Sequence, residues 1–403
     1  MALSGGGALG LAHIGVLQYF EEHHIPIDAV AGTSMGGLVG GFYATGMNSQ
    51  QLEKVVKESN FDEILTPAAN YEQRSIAEKQ DWNSSDAGFT LRFKHNFSLP
   101  TGLNQGQPLA LMLSRYTAAY AGMRSFDELP TPFRCVATDL TSAGAFTLDS
   151  GPLPLALRAT MAIPGIFTPV KWGDRVLVDG GAVDNIPVDV ARKMNTDRVI
   201  AVSLETAPAS KESLNSLTGV LRQVVNVVVL ANERRSIQQA DMVIAVPLQK
   251  YTADDYLRYK EIIAAGYKAA AAMGEKLKQF EVSDDEWARY EKERESRRKT
   301  IPERGKVVAV TSPQQNIERD ARHELQRKLP GEVSRKDLEG TLTGILAAAS
   351  LPSAYYGWLN ANDVSGYKVD IEERPQGGEV LIRPSLSMQA SGGEPTRASL
   401  RMS

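Results

Sequence analysis

The stretch Asp28-Ala29-Val30-Ala31-Gly32-Thr33-Ser34-Met35-Gly36-Gly37-Leu38-Val39-Gly40-Gly41-Phe42-Tyr43-Ala44-Thr45 reads as a strand, a sharp turn and a helix in direct succession. Asp28 to Gly32 is short and apolar, as a strand buried on both faces is. Met35 to about Thr45 is a helix of small residues that ends near Gly46, a residue type that commonly closes helices. Between them Gly32-Thr33-Ser34-Met35-Gly36 matches G-x-S-x-G. That motif needs a strand before it and a helix after it. The tight reversal then forces the serine side chain outward, and small neighbours at Gly32 and Gly36 avoid a clash. Both flanks are present. The helix N-terminus adds N–H donors and a positive dipole end beside an oxygen that must ionise, which makes Ser34 a candidate nucleophile.

Working outward, Gly5 to Gly7 form a glycine-rich turn that leads into a helix over Leu9–His23, where Leu9, His13, Val16, Leu17 and Phe20 recur at helical spacing. Strand, helix, strand, helix in so short a span implies a parallel α/β sheet. The pattern resumes with strands at Phe133–Thr138 and Ala145–Leu148 and a helix at Leu153–Met161, then strands at Arg175–Val178, Arg198–Ser203 and Met242–Val246. A core domain is expected over residues 1–280. Asn70 to Pro108 is polar and irregular, with Trp82, Phe89, Phe93 and Phe97 scattered through it. It reads either as a lid or substrate-facing insertion, or as a decorated loop with a hairpin around Phe89–Phe97.

Residues 281–305 are dense in charge and broken at Pro302, as a solvated helix running into a linker would be. Beyond them a second unit is expected over 306–383, with a strand at Lys306–Thr311, helices at Gln315–Lys328 and Ser334–Leu346, and strands at Tyr367–Glu373 and Gly378–Ile382. This β-α-α-β-β order is that of a small α+β interaction domain. Residues 384–403 form a tail.

With 403 residues, 44 Lys+Arg against 48 Asp+Glu and a net charge of -4, nothing global calls for nucleic acid as a partner. The single Cys135 has no internal disulfide partner, and among strand residues it reads as a small buried hydrophobe. No apolar run approaches the roughly 18 residues of a membrane-spanning helix. No signal peptide is visible, and with only Ala2 and Leu3 ahead of the glycines the opening strand reads as cut short.

A serine hydroxyl needs a base. None of the five histidines suits: His13 falls within the first helix, His23 and His24 at its polar end, His95 in the irregular stretch and His323 in the second unit. A carboxylate offers itself instead in Val176-Leu177-Val178-Asp179-Gly180-Gly181, at the end of an apolar strand. Enclosure there raises proton affinity toward what a general base needs. Asp179 taken alone also reads as an ordinary turn cap. Gly5-Gly6-Gly7-Ala8-Leu9-Gly10 has two readings. Consecutive backbone amides beside a helix can form an oxyanion hole. Alternatively Gly5, Gly7 and Gly10 satisfy G-x-G-x-x-G, with Asp28 as a ribose-binding acid. Asp28 precedes the next strand rather than ending it, which weighs against a dinucleotide.

With GGGALG, GTSMG and VDGG in that order, the chain resembles the patatin-like phospholipase family. LSGGGALGLAHIGVL, VAGTSMGGLVGGFYATG, LPTGLNQGQPL, FDELPTPFRCVATDL, LRATMAIPGIFTPV and LVDGGAVDNIPVDVA are similar to stretches of its bacterial members, across Leu3 to Glu205. The resemblance implies a three-layer α/β/α core with a mainly parallel sheet. It implies Ser34 as nucleophile, Asp179 as base, the backbone of Gly5, Gly6, Gly7 and Ala8 as oxyanion donors, and no metal or organic cofactor. The substrate it implies is a lipid or phospholipid cleaved at a carboxylic ester, in phospholipase A or lysophospholipase fashion, at a membrane surface. Leu9 departs from the family, which usually carries Arg or Lys there, and the departure implies altered loop anchoring or phosphate handling rather than lost activity.

A catalytic domain followed by a POTRA-like module is similar to the bacterial type V secreted patatins, which continue into an outer-membrane β-barrel. That implies the cell envelope or secretion, with the cytoplasm as alternative, and reads the tail either as a first barrel strand of a longer protein or as disordered. The rival functions are a non-catalytic scaffold for binding or secretion, and a general esterase without membrane preference.

Overall fold

The computed structural model of the chain describes residues 1–61, 64, 91–94, 96–98, 102–104, 106–207, 217–349, 351, 353–361, 364–372, 380–385 and 399–402. Most of the irregular stretch Asn70–Pro108, His95 and most of the tail 384–403 lie outside the described residues. The chain divides into one unit of Met1–Leu65, Met112–Ile163 and Pro169–Ile301, and a second of Thr66–Leu111, Pro164–Thr168 and Pro302–Ser403.

The first unit is built on β1 (Ala2–Leu3), β2 (Val30–Thr33), β3 (Phe133–Asp139), β4 (Gly144–Leu148), β5 (Val170–Trp172), β6 (Arg175–Asp179), β7 (Ile200–Glu205) and β8 (Met242–Pro247). Their order is β8-β7-β1-β2-β3-β6-β5, with β4 also on β3. From β8 to β3 all neighbours are parallel, whereas β6, β5 and β4 join antiparallel. The two residues of β1 are central: Ala2 faces Ala31 and Ala201, and Leu3 faces Gly32 and Val202. Successive side chains of a strand point to opposite faces. Ala2, Ala31, Val136 and Ala201 therefore pack with Val188, Val190 and Ala191, while Leu3, Val30 and Phe133 lie against Gly40 on the other side. A helical layer thus covers each face, with α2 (Met35–Ala44) on one and α5 (Val188–Arg192) on the other.

Further helices of this unit include α1 (Ala12–Glu22), α3 (Ser49–Glu58), α4 (Leu153–Thr160), α6 (Leu217–Ile237), α7 (Tyr259–Ala272) and α8 (Asp284–Arg297). The chain passes from β1 to β2 to β3 in one direction, while β7 and β8 lie on the other side of β1. Such a reversal opens a crevice at the strand ends, and the glycine turn after β1 and the Ser34 elbow after β2 both emerge there.

The charged helix α8 starts with a capping box between Ser283 and Glu286. It is more than a solvated spacer. Trp287 is buried and stacks on His24. Arg294 donates to the carbonyl of Tyr43 at 3.0 Å and to Thr131 Oγ1 at 3.1 Å, with its guanidinium 4.2 Å above the Tyr43 ring.

In the second unit, Val307–Thr311 pairs parallel with Val364–Ile371, which pairs antiparallel with Ala354–Ala361. Helices Gln315–Lys328 and Arg335–Ala349 connect them. The strand expected at Tyr367–Glu373 is present as Val364–Ile371, whereas the one expected at Gly378–Ile382 is not the third strand of this sheet. Ala354–Ala361 replaces the strand expected at Gly378–Ile382, because Gly357 and Asn360 mask the strand character of Tyr355, Tyr356 and Trp358. Val380–Ser385 belongs to a different sheet, between Leu91–Lys94 and Ser399–Met402. Leu91–Lys94 also pairs with Asn96–Ser98, a ladder in the region of the hairpin expected around Phe89–Phe97. Among the described residues no helix is long and apolar enough to cross a membrane.

Candidate active site

Ser34 has φ 53° and ψ −124°, a strained conformation for a side-chain-bearing residue. It is held by what surrounds it. Its carbonyl already accepts from Leu38 N at 2.9 Å as the first bond of α2, and its own amide donates to Thr160 Oγ1 at 2.9 Å. The flanking glycines are required by contact: a Cβ on Gly32 would lie 2.4 Å from the carbonyl oxygen of Gly36, and one on Gly36 would lie 2.4 Å from that of Ser4. Thr33 fixes the other side by donating from Oγ1 to the carbonyl of Asp184 at 2.8 Å. The Ser34 side chain, 6% exposed, is thereby presented next to the glycine turn after β1.

Asp179 closes β6. The sequence pattern counts this strand among those of a parallel sheet, whereas it runs antiparallel to β3 and β5. Register, not strand direction, delivers the carboxyl. Asp179 is level with Ala137, the residue after Val136, and Val136 is level with Thr33. The main chain of Asp179 is fixed at both ends, its amide donating to the carbonyl of Ala162 at 2.9 Å and its carbonyl accepting from Thr138 Oγ1 at 2.8 Å. Oδ1 accepts from Gly181 N at 2.8 Å. Oδ2 is buried with no well-aligned hydrogen-bond partner among the described residues. Burial pushes the carboxyl up to about 6, opposed by the Ser34 hydroxyl and then by the Gly181 amide. The Ser34 hydroxyl is therefore among the groups that act on this carboxyl.

The glycine turn brings four expected donors together but leaves only part of them available. Gly5 N donates to the carbonyl of Asn185 at 3.2 Å and Ala8 N to that of Ala253 at 2.8 Å. The amides of Gly6 and Gly7 have no hydrogen-bond partner among the described residues. Gly7 has φ 57°, a left-handed conformation natural to glycine. Leu9 is buried at 3% exposure, so an apolar side chain fits the place where the family was expected to carry a cation.

Asn185, Thr160, Thr138 and Ala162 were not singled out by sequence reasoning. Asn185 is buried and donates from Nδ2 to Glu233 Oε1 at 2.6 Å. The carboxyl of Glu233 is raised by burial and lowered in part by that bond. Among the described residues no histidine is hydrogen-bonded to Ser34 or Asp179. His13 is buried in α1 with Nε2 2.8 Å from the carbonyl oxygen of Ser4, and burial pulls it down to about 4. Cys135 is buried in β3, and burial pushes its thiol up. Asp28 is exposed and precedes β2, at the end of the parallel strands opposite the glycine turn, which places it wrongly for a dinucleotide ribose.

The sequence model of the patatin-like phospholipases matches residues 1–192. An uncharacterized NTE family protein of Mycobacterium tuberculosis is 33% identical over 228 residues, 56% of this chain and 55% of that protein. Lysophospholipase NTE1 of Meyerozyma guilliermondii is 26% identical over 297 residues, 66% of this chain and 18% of that protein. Among solved structures, VipD from Legionella pneumophila aligns over 69% of this chain and 66% of that one, at 16% identity and a TM-score of 0.40. The chain spans about half the length of the mycobacterial relative, at 55%. The matched span includes the Gly-rich turn, the elbow and Asp179, and residues 1–192 are a patatin-like phospholipase domain on an α/β core with a mainly parallel sheet.

Proposed function

We propose that the chain is a serine acyl hydrolase that cleaves carboxylic ester bonds of lipids or phospholipids through Ser34 and Asp179. The observation that carries this reading is a strained serine beside a carboxyl held near 6 by burial with one oxygen unpaired. Asp179 takes the Ser34 Oγ proton as Oγ attacks the ester carbonyl carbon. The resulting oxyanion is met by the Gly6 and Gly7 amides, whose donors are not committed elsewhere in the fold. Collapse breaks the ester C–O bond, and Asp179 returns the proton to the departing alcohol. Water then gives a proton to Asp179 and attacks the acyl-serine, releasing the fatty acid and restoring the hydroxyl. Apart from water and the ester, every group in these steps belongs to the protein.

Exposure of the protein to a fluorophosphonate probe and to phospholipid vesicles tests the reading. Covalent labelling at Ser34 and fatty-acid release, both lost in Ser34→Ala, are expected. A folded protein that takes up no probe leaves the non-catalytic scaffold in its place. Turnover of soluble esters but not of vesicles favours a general esterase. For the second unit, the order of Val307–Thr311, two helices, Ala354–Ala361 and Val364–Ile371 supports a POTRA-like reading of the region expected at 306–383.

A further inference from the structure

Both members of the Ser–Asp pair are tethered through their main chains to one short turn. The amide of Ser34 donates to Thr160 Oγ1 at 2.9 Å, and the amide of Asp179 donates to the carbonyl of Ala162 at 2.9 Å. Thr160 ends α4, so the two acceptors lie two residues apart where that helix stops ahead of Pro164. Thr160 is fully buried. Its hydroxyl gives its own proton to the carbonyl of Val136 in β3 at 2.5 Å, which leaves a lone pair directed to the Ser34 amide.

We infer that the Thr160–Ala162 turn sets the spacing between Ser34 and Asp179, with the Thr160 hydroxyl as the positioning group on the serine side; the inference rests on the hydrolase reading only for its catalytic consequence. The reason lies in the elbow. A residue at φ 53° has left the strand ladder, and as N-cap it lies outside the amide-donating part of the helix. Its buried N–H therefore needs a side-chain acceptor. A hydroxyl bonded at the same time to β3 supplies that acceptor at a fixed place. Because Val136 is level with Thr33 and one residue from the level of Asp179, the same hydroxyl ties the elbow to the strand that pairs with the base. Thr160 touches no reacting atom; it acts through the backbone of Ser34.

Two readouts on Thr160→Val and Thr160→Ser in the full chain test this. Valine keeps the shape and removes the hydroxyl, whereas serine keeps the hydroxyl and removes the methyl. Hydrogen exchange at the Ser34 amide is expected to quicken about tenfold or more in Thr160→Val and to stay near wild type in Thr160→Ser. On a soluble ester, kcat is expected to fall about 10- to 100-fold in the valine variant with KM within about twofold, and to recover in the serine variant. Unchanged exchange at Ser34 in Thr160→Val overturns the inference. So does a serine variant as impaired as the valine one, since packing of the methyl would then be the cause. So does quickened exchange with undiminished kcat, which would leave the tether without a role in positioning. Altered exchange in a protein whose wild type turns over no ester instead counts against the hydrolase reading and leaves the tether standing.

Discussion

Asn185 joins the two glycine-bearing loops of the site: its carbonyl accepts the Gly5 amide at 3.2 Å, and its side chain donates to Glu233 of α6 at 2.6 Å. The glycine turn after β1 and the loop after Asp179 are far apart in sequence. One buried residue holds them in register, its main chain bonded to the glycine turn and its side chain anchored to a helix. The Oδ1 atom of Asn185 occupies the space in which a Cβ on Gly5 or Gly181 would sit.

Asn185→Asp removes the donor and sets a second carboxylate against Glu233. Burial already raises Glu233, so the pair cannot both ionise without a penalty of about 2 kcal/mol or more. Lower stability and a loss of ester turnover are expected at pH 8, and the stability is expected to recover in part near pH 5 as the pair takes up a proton. Adding Glu233→Gln restores a donor on the opposite side, and the double variant is expected to regain most of the stability. Urea unfolding at the two pH values checks this; a double variant no better than the single one removes any role for the Asn185–Glu233 bond.

Gly5→Ala tests how closely the turn approaches the serine. Its Cβ would lie 2.5 Å from Asn185 Oδ1 and 3.0 Å from Ser34 Cβ, with backbone-anchored groups on both sides. A loss of roughly 1–3 kcal/mol in stability and at least a 100-fold drop in kcat/KM are expected. Gly331→Ala, whose Cβ meets nothing within 4 Å, is the control and should change neither.

The sequence showed the site more clearly than its supports, for a physical reason. The G-x-S-x-G signal is local: the strain at Ser34 is created by its immediate neighbours, and the glycines that permit it are two residues away on either side. The alternation of strands and helices fixed the α/β class in the same local way. The dependence of Ser34 on Thr160, 126 residues away, leaves no such pattern, since a threonine near a helix end is common. The direction of β6 was not legible either, because an apolar run does not record which way it pairs. The charge of α8 hid its role, since Trp287, Tyr290 and Arg294 occupy one stripe among residues that are otherwise solvated. Only half of the oxyanion reading could be refined, because which amides of Gly5–Ala8 are already bonded depends on Asn185 and Ala253.

Arg294→Ala should separate stability from activity. The side chain grips the far end of α2 through the carbonyl of Tyr43 and the Tyr43 ring, and reaches Thr131. Removal leaves buried acceptors without donors, so a loss of about 2–4 kcal/mol is expected. Because the contacts lie at the C-terminal end of the helix that Ser34 begins, kcat at 25 °C should stay within about twofold. Arg294→Lys cannot reproduce the fork of donors and is expected to recover less than half of the loss. Chemical denaturation with parallel kinetics checks both statements; an equal loss of kcat and stability would mean that α2 transmits the disturbance to its N-terminus.

Asp179 carries opposite consequences for stability and for catalysis, and pH separates them. Its carboxyl is raised from the ordinary 3.8 to about 6 in the folded chain, chiefly by burial. Between those values the folded state keeps a proton that the unfolded chain releases, so stability falls as pH rises through the window, and above about 6 the full penalty is present. A rise of that size corresponds to about 3 kcal/mol as an upper figure. Asp179→Asn removes the charge with little change of shape and is expected to be more stable than the wild type at pH 8, by on the order of 1–3 kcal/mol, with the difference vanishing below about pH 4. Activity runs the other way. The base must be ionised to accept the Ser34 proton, so kcat/KM should rise with pH around a midpoint near 6 and level off above it. His13, held near 4, does not titrate in that range, and Asp179→Asn should abolish turnover at every pH. Unfolding curves for both proteins at pH 4 and pH 8 give a direct reading: a stability difference independent of pH would show that the buried charge of Asp179 is not what the folded state bears.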